Sequence, residues 1–245
     1  MATAIVVTSG KGGTGKTSVT GGISSCLAAL GYKVLCIDMD IGLRNLDLSL
    51  GMSDRALMDF TDVVEGRCSL ARAVVEHPVI QGLYLLTAPL TPRPIQESAL
   101  RALIQEAKHT YDYILMDSPA GLGSGFRLAT CGADRAIVVS TSDPSALRDA
   151  QRTVGALRRT VPGGIHLVMN RIQPKLLKKL HTTIDDAMDT AGLPLLGVIP
   201  EDQAVSLAAA QGQPLLLYSR KAAAIAYLNI AKRITGQMVP IMRIR

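Results

Sequence analysis

A glycine-rich stretch near the start of the chain, TSGKGGTGKTSV at residues 8–19, holds the residue types that bind phosphate. Its glycines fit the G-x-G-x-x-G pattern of dinucleotide-binding turns. The same stretch, with Lys16 and Thr17 at its end, also fits the G-x-x-x-x-G-K-T pattern of phosphate loops. Lys11 stands inside the stretch although neither pattern requires it. The stretch is therefore compatible with either a dinucleotide-binding turn or a phosphate loop, and Lys11 needs a separate explanation.

Lys16 and Thr17 favour the phosphate loop, because a dinucleotide turn has no use for either side chain. In a phosphate loop the positively charged lysine binds the β- and γ-phosphates, and the threonine hydroxyl binds Mg²⁺. The strand-like run YILMD ends in Asp117, where a second carboxylate directed at Mg²⁺ belongs. The dinucleotide alternative needs an acid about 20 positions after the loop. Because Asp38 or Asp40 could supply that acid, a dinucleotide-dependent reductase remains the competing interpretation.

The physics of such a loop depends on its backbone. N–H groups from Gly12 to Thr17 are expected to point inward, and the helix that begins near Lys16 adds the positive end of its dipole. Glycine permits both the positive φ angles and the close approach of phosphate. The residues expected to bind the nucleotide here are Lys11, Gly12, Gly13, Thr14, Gly15, Lys16, Thr17 and Ser18.

The elements that must hold these residues alternate between apolar runs and helix-like stretches. Helices are predicted over 16–30 and 95–108. Strands are predicted over 3–9, 33–40, 83–89, 111–117, 135–142, 165–171 and 195–200. This rhythm favours a parallel sheet with helices on both faces. The expected fold is α/β: a single-domain, three-layer α/β/α phosphate-loop NTPase fold with a mostly parallel central sheet.

Polar side chains stand where several of these strands end. Asp38 and Asp40 close the second predicted strand, Asp117 closes the strand over 111–117, and Asn170 and Arg171 close a later one. Ligands of such folds bind at the carboxyl ends of the strands. We therefore expect these side chains to converge with the glycine loop on one site.

Composition limits the classes of partner and compartment. The 245 residues carry a formal net charge of +6, which suits anionic partners, whereas 3% aromatic content makes base-stacking platforms improbable. The four cysteines show no C-x-x-C spacing and read as reduced thiols of a cytoplasmic protein. No signal peptide and no membrane-spanning run is predicted.

Longer motifs resemble the MinD/ParA family of ATPases. They are the phosphate loop with Lys11, the run IDMDIGLRNLDLSLG at 37–51 and DSPAG at 117–121. VVEGRC, GVIPED and AIAYLNIAKRITG fit the same family, so the resemblance covers about residues 1–238. It implies an ATPase domain over 1–236 that uses ATP and Mg²⁺, followed by a short tail over 237–245.

The resemblance also implies roles for single residues. Lys11 would reach across a dimer interface to the partner's ATP, and charge supports this, since two facing triphosphates repel strongly at low dielectric. From spacing alone, a solvated loop lysine is an equal alternative. The implied catalytic residues are Lys11, Lys16, Asp40 and Asp117, with Asp40 orienting the attacking water. The implied metal site uses Thr17, Asp38 and Asp117, and the implied adenine frame uses Asn170, Arg171, Pro200, Glu201 and Asp202.

The implied function is an ATP-dependent dimerising switch that regulates placement of the cell-division septum. The implied partners are a second copy of the chain, a division inhibitor (MinC-like) and a topological regulator (MinE-like or DivIVA/MinJ-like), with no sequence-specific nucleic acid. A ParA-like DNA-partition or cargo-positioning ATPase is the alternative. A metal-cluster carrier of the same fold is disfavoured, because it would need paired cysteines.

Two departures from the family pattern bear on partners. The chain ends in QMVPIMRIR, which is short for a membrane-targeting helix and contains Pro240. An ordinary C-terminal end and a weak remnant that contacts anionic membrane in the ATP state both stay open. The run SALRDAQRTV keeps Asp149 but has Gln151 where the family tends to carry a second acid, so partner recognition could differ.

Overall fold

The predicted alternation of strands and helices is present in the computed structural model, which describes residues 2–53 and 55–242. Within that part of the chain, eight strands form one sheet. The strands are β1 Thr3–Thr8, β2 Val34–Asp38, β3 Val75–Glu76, β4 Leu83–Leu86, β5 Tyr113–Asp117, β6 Arg135–Ser140, β7 Ile165–Ile172 and β8 Leu195–Pro200. Their order is β3-β4-β2-β5-β1-β6-β7-β8, and only β3 pairs antiparallel.

Helices cover both faces of this sheet. They are α1 Lys16–Ala29, α2 Leu46–Leu50, α3 Phe60–Val64, α4 Leu70–Ala73, α5 Glu97–Ala107, α6 Ser124–Thr130, α7 Pro144–Leu157, α8 Pro174–Leu180, α9 Ile184–Ala191, α10 Gln203–Ala210, α11 Leu215–Tyr218 and α12 Ala223–Ile234. The predicted single-domain α/β fold with a mostly parallel central sheet is confirmed.

The apolar core lies in two layers, one on each face of the sheet. One layer takes its helical side chains mainly from α5, α6, α7 and α9, and the other from α1, α2 and α12. The central strands are buried on both faces, which explains their unbroken apolar runs. α1 and α12 approach so closely that a Cβ at Gly22 would lie 2.5 Å from the ring of Tyr227.

Strand register brings the predicted acids together at the carboxyl edge. Asp38 at the end of β2 is paired with Asp117 at the end of β5, and Val7 of β1 is paired with the same Asp117. The glycine loop follows β1 directly. The sheet therefore places both carboxylates beside the loop, as the sequence predicted.

The segment after α12 turns back onto the body of the protein. The guanidinium of Arg233 donates to the carbonyl of Val239 from Nε at 2.8 Å and from Nη2 at 2.6 Å. Of the predicted tail, residues 243–245 lie outside the described part of the chain. None of the described helices combines the length and the apolar character needed to cross a bilayer.

Candidate functional site

The glycine loop has the backbone of an anion-binding turn. Gly13 and Gly15 have φ angles of 77° and 89°, in the left-handed region that favours glycine. A Cβ at Gly15 would also lie 2.3 Å from Nδ2 of Asn170. Gly15 is the N-cap of α1 and no side chain caps that helix end, so its first N–H groups stay available to a ligand.

Lys16 opens α1 as a buried cation that makes no direct contact with a described carboxylate. The residue is 9% exposed, and its ammonium forms no ion pair or hydrogen bond with any residue that the structure describes. Burial lowers the pKa of Lys16, while the charges of Asp117 and Asp40 raise it. An anion held by the loop would supply the missing charge and would remove the cost of leaving this cation unpaired.

Asp117 receives hydroxyl groups from two positions of α1. Thr17 donates to Oδ2 of Asp117 at 2.7 Å, and Thr20 donates to Oδ1 at 3.0 Å. Burial raises the pKa of Asp117 to about 7, against these hydrogen bonds, which lower it. A hydroxyl and a carboxylate side by side are hard oxygen donors of the kind that Mg²⁺ takes.

Asp38 and Asp40 both follow the pattern of acids at the end of the second predicted strand, but they lie in different environments. Both carboxylate oxygens of Asp38 accept backbone N–H groups, Oδ1 from Asp40 at 2.9 Å and Oδ2 from Leu46 at 3.0 Å. Asp38 is fully buried, and burial raises its pKa to about 6. Asp40 lies just beyond β2 and is partly exposed; burial raises its pKa and the nearby charge of Lys16 lowers it. Asp38 thus holds the loop that carries Asp40.

Lys11 is engaged within its own chain. Its ammonium lies 2.8 Å from Oδ2 of Asp143 and donates to the hydroxyl of Ser145 at 2.6 Å. Asp143 is the N-cap of α7, and its bond from Lys11 lowers the pKa of the carboxyl to about 2. Lys11 is therefore paired within its own chain, and no local pattern in the sequence predicts a contact between residues 132 positions apart.

Asn170 and Arg171 contact the glycine loop from the end of β7. Nδ2 of Asn170 donates to the carbonyl of Thr14 at 2.8 Å. Arg171 donates to the carbonyl of Gly13 at 3.4 Å and, through Nε, to Glu201 at 2.8 Å. These three predicted residues, Asn170, Arg171 and Glu201, thus meet beside the loop and hold its backbone in place.

Asp202 has a structural task that sequence reasoning missed. Its Oδ1 accepts the N–H of Ala204 at 2.9 Å, and its Oδ2 accepts the N–H of Ala223 at 3.1 Å. One carboxylate therefore caps the beginnings of both α10 and α12. An acid followed by the start of a helix was the available signal for the first cap, whereas the second joins residues 21 positions apart and has no local signal.

Two open cavities lie at the carboxyl edge of the sheet. One of 330 Å³ is lined by the outer side of the loop, by Asp143, and by Leu176 and Leu180 of α8. The other, of 640 Å³, lies against Asp40 between the loops that follow β2, β4 and β5. The smaller cavity therefore reaches the glycine loop, and the larger one lies beside Asp40.

The residues present fit a nucleotide with its magnesium ion. The hydroxyl of Thr14 is buried in the loop without a hydrogen-bond partner, and a Cβ at Gly13 would meet nothing within 4 Å. Among the described residues, no group of three or more His, Cys, Asp or Glu side chains could hold a metal ion. Mg²⁺ is usually held by one or two protein groups together with substrate phosphates, and the hydroxyl of Thr17 and the carboxylate of Asp117 are groups of that kind.

Comparison with known proteins agrees with this geometry. A family model described as the CobQ/CobB/MinD/ParA nucleotide binding domain matches residues 5–215. The chain belongs to this CobQ/CobB/MinD/ParA family. The family resemblance drawn from the loop with Lys11 is therefore confirmed, and the dinucleotide interpretation of the glycines is set aside.

Individual relatives within the family are similar over nearly their whole length. The septum site-determining protein MinD of Bacillus subtilis is 41% identical over 98% of this chain and 92% of its own. The MinC:MinD cell division protein complex of Aquifex aeolicus contains a chain that is 38% identical, with a TM-score of 0.92 and 99% of both chains covered. The MinD of Pyrococcus horikoshii, solved with Mg-ADP, is 30% identical, with a TM-score of 0.84 and 96% of both chains covered.

Proposed function

We propose that this chain is an ATP-dependent dimerising ATPase that regulates placement of the cell-division septum. The observation that carries the proposal is the buried Lys16 ammonium, which no described side chain contacts as an ion pair and which lies at the head of an anion-binding loop, beside the Thr17–Asp117 pair. The naming of its relatives as septum site-determining proteins supports this function over the partition-type alternative.

The loop residues would hold the substrate ATP. N–H groups of the loop and of the first turn of α1 bind the phosphates, and Lys16 neutralises their charge. Thr17 and Asp117 would hold Mg²⁺, which when bound neutralises charge developing on the phosphate oxygens. Asn170 and Arg171 support the loop through the Thr14 and Gly13 carbonyls and, with the backbone of Pro200 to Asp202, would frame the adenine.

Asp40 is the proposed positioning residue for the attacking water. It is partly exposed beside a 640 Å³ cavity that solvent reaches, and its charge interacts with that of Lys16. Asp38 holds the backbone of Asp40 in place by accepting its N–H. A carboxylate held near the phosphate site can orient a water molecule for in-line attack.

Lys11 would complete the site of a second copy of the chain. Two ATP-loaded loops that face each other across a two-fold axis would repel, and a lysine from each chain would offset that repulsion. The bond to Asp143 is exposed and therefore contributes little, so the partner's triphosphate can compete for Lys11. Dimerisation would then report that ATP is bound.

The partners proposed are those of a septum-placement switch. They are a division inhibitor of the MinC type, which the Aquifex complex supports, and a topological regulator of the MinE or DivIVA/MinJ type. The chain would act in the cytoplasm, with a weak contact to anionic membrane through the tail at 237–245. Met238 and Ile241 of that tail are exposed apolar side chains, which suit an interface.

ATP hydrolysis by site variants tests the proposal. Lys16→Ala should abolish nucleotide binding, because it removes the buried positive charge at the head of the loop. Asp40→Ala should bind ATP with little change but lower the hydrolysis rate by about 100-fold or more, as loss of a water-positioning group does. Lys33→Ala, an exposed lysine at the start of β2, is the matched control. Unchanged turnover in Lys16→Ala would contradict the assignment.

A further inference from the structure

Arg44 has a backbone conformation that its residue type does not favour. It lies in the short turn between β2 and α2 with a φ angle of 49°, in the left-handed region that side chains other than glycine rarely adopt. Such a conformation costs free energy and persists only where the surrounding contacts hold it. The contacts of Arg44 must therefore offset this strain.

The side chain of Arg44 is largely buried and joins three parts of the chain. It is 16% exposed, and its Nε lies 3.3 Å from Oδ2 of Asp47 in α2. That contact brings opposite charges together without forming a hydrogen bond. Nη2 of Arg44 donates to the carbonyl of Ala56 at 3.4 Å. Arg44 thus fastens the turn after β2 both to α2 and to the segment that follows α2.

The turn that ends at Arg44 begins at Asp40. The carbonyl of Asp40 accepts the N–H groups of Leu43 and Arg44, each at 3.2 Å. The N–H of Asp40 donates to Oδ1 of Asp38 at 2.9 Å. The backbone of Asp40 is therefore held on its N–H side by Asp38 and on its carbonyl side by a turn that Arg44 closes.

The ion pair with Arg44 also decides the charge balance behind this turn. The side chain of Asp47 is 9% exposed, so removal of Arg44 would leave a buried carboxylate without its opposite charge. Asp47 lies near Asp38, since its charge adds to burial in raising the pKa of Asp38. A variant that lacks Arg44 therefore has to be compared with one that also lacks the charge of Asp47.

We propose that Arg44 is the positioning residue that keeps Asp40 directed at the phosphate site. This inference rests on the proposed role of Asp40 in orienting the attacking water. The guanidinium of Arg44 is bound to Asp47 and Ala56, so it acts on the reaction through the backbone of the turn. A reacting group displaced by about 1 Å loses much of its effect, so a loosened turn should slow hydrolysis while the phosphate loop still binds ATP.

An ion pair that merely stabilises α2 is the alternative role for Arg44. Glycine would form the left-handed turn without strain, so the turn alone gives no reason for an arginine at this position. An ion pair on α2 alone gives no reason for the left-handed backbone either, because a residue in a relaxed conformation could supply the same charge. Both features are explained together if the side chain serves to hold the turn that carries Asp40.

Kinetics of variants at position 44 test the inference. Arg44→Gly keeps the left-handed backbone accessible and removes both side-chain contacts. Arg44→Gly/Asp47→Asn leaves no buried carboxylate unpaired, and it replaces the single variant if that chain folds poorly. Arg55→Gly removes an exposed arginine from the segment after α2 and is the matched control. ATP hydrolysis with Mg²⁺ gives kcat and KM, and thermal unfolding and ATP affinity are measured on the same preparations.

Arg44→Gly should lower kcat by about tenfold and leave KM for ATP within about twofold of the wild-type value. The decisive measurement combines it with Asp40→Ala. If Arg44 acts through Asp40, nothing remains for it to position in that background, so Arg44→Gly should change the residual rate by less than about twofold. A general structural role would lower the rate by the same factor in both backgrounds.

Three results would overturn the inference: a wild-type kcat in Arg44→Gly, a loss confined to ATP affinity, or the full loss repeated in the Asp40→Ala background. If Asp40→Ala hydrolyses ATP as fast as the wild type, the proposed role of Asp40 fails and the inference fails with it. A slow Asp40→Ala together with a fully active Arg44→Gly removes the inference alone, which separates the two conclusions.

Discussion

At the scale of single residues, the site is organised around one buried acid. Asp117 takes hydroxyl groups from Thr17 and Thr20, lies beside Asp38 in the sheet register, and has a pKa that burial raises to about 7. As the proposed ligand of Mg²⁺, Asp117 would have to be ionised, so metal binding would release this proton. Without ligand, the folded chain keeps the proton to higher pH than the unfolded chain does.

Asp117 predicts a pH dependence of stability. Its pKa is raised on folding, so its contribution is fully present below about pH 4 and is lost as the pH rises through about 7. The free energy of unfolding of the nucleotide-free wild type should fall by roughly 2 kcal/mol relative to Asp117→Asn between about pH 5 and pH 8. Urea unfolding at both pH values measures it. Parallel pH profiles of the two chains would contradict the burial of an ionisable Asp117.

Residue types and spacing predict which groups would face the phosphates and the metal ion, but not the groups that hold those residues in position. Lys16, Thr17 and Asp117 could be recognised because the chemistry of a phosphate loop demands those types at those positions. Asp38 was expected at the metal, yet its two oxygens hold the N–H groups of Asp40 and Leu46. Such a bond depends on where the chain turns after β2, which composition and periodicity do not encode.

At the scale of elements, the site depends on how helices begin. α1 starts without a side-chain cap, which leaves its N–H groups for phosphate, whereas Asp202 caps α10 and α12 together. The two helices pack near α1 through the layer that contains Tyr227. Capping of α12 therefore supports the helix on which the phosphate loop is mounted.

Asp202 gives a prediction at this scale. Asp202→Ala should lower the free energy of unfolding by about 1–3 kcal/mol, because two helices lose their cap at once. Glu201→Gln is the matched control, since its pair with Arg171 is partly exposed and should change stability by less than about 1 kcal/mol. Thermal or urea unfolding of both variants measures the difference. Equal stability of the two variants would show that the two caps made by Asp202 do not contribute to the free energy of unfolding.

Strands and long helices were predictable because each has a strong periodic signal. The seven parallel strands and α1 lie close to their predicted ranges. β3 was missed, since two residues are too few to form a pattern and the strand exists only through its pairing with β4.

At the scale of the whole molecule, the site is open where a second chain would close it. Lys11 and the leucines of α8 border the same cavity, and the bond of Lys11 to Asp143 is exposed. In the proposed function, the chain associates with a second copy when ATP is bound, and hydrolysis would end that association. Lys11 would then link ATP binding by one chain to the binding of a second chain.

The proposed role of Lys11 in dimerisation can be tested by sedimentation velocity. The wild type and Lys11→Ala are each measured with Mg-ADP and with Mg²⁺ plus a non-hydrolysable ATP analogue. We expect the wild type to be a dimer only with the analogue. Lys11→Ala should still bind the analogue, since Lys16 and the loop are intact, but should remain a monomer under both conditions. A wild type that stays monomeric with the analogue, or a Lys11→Ala chain that dimerises as the wild type does, would contradict it.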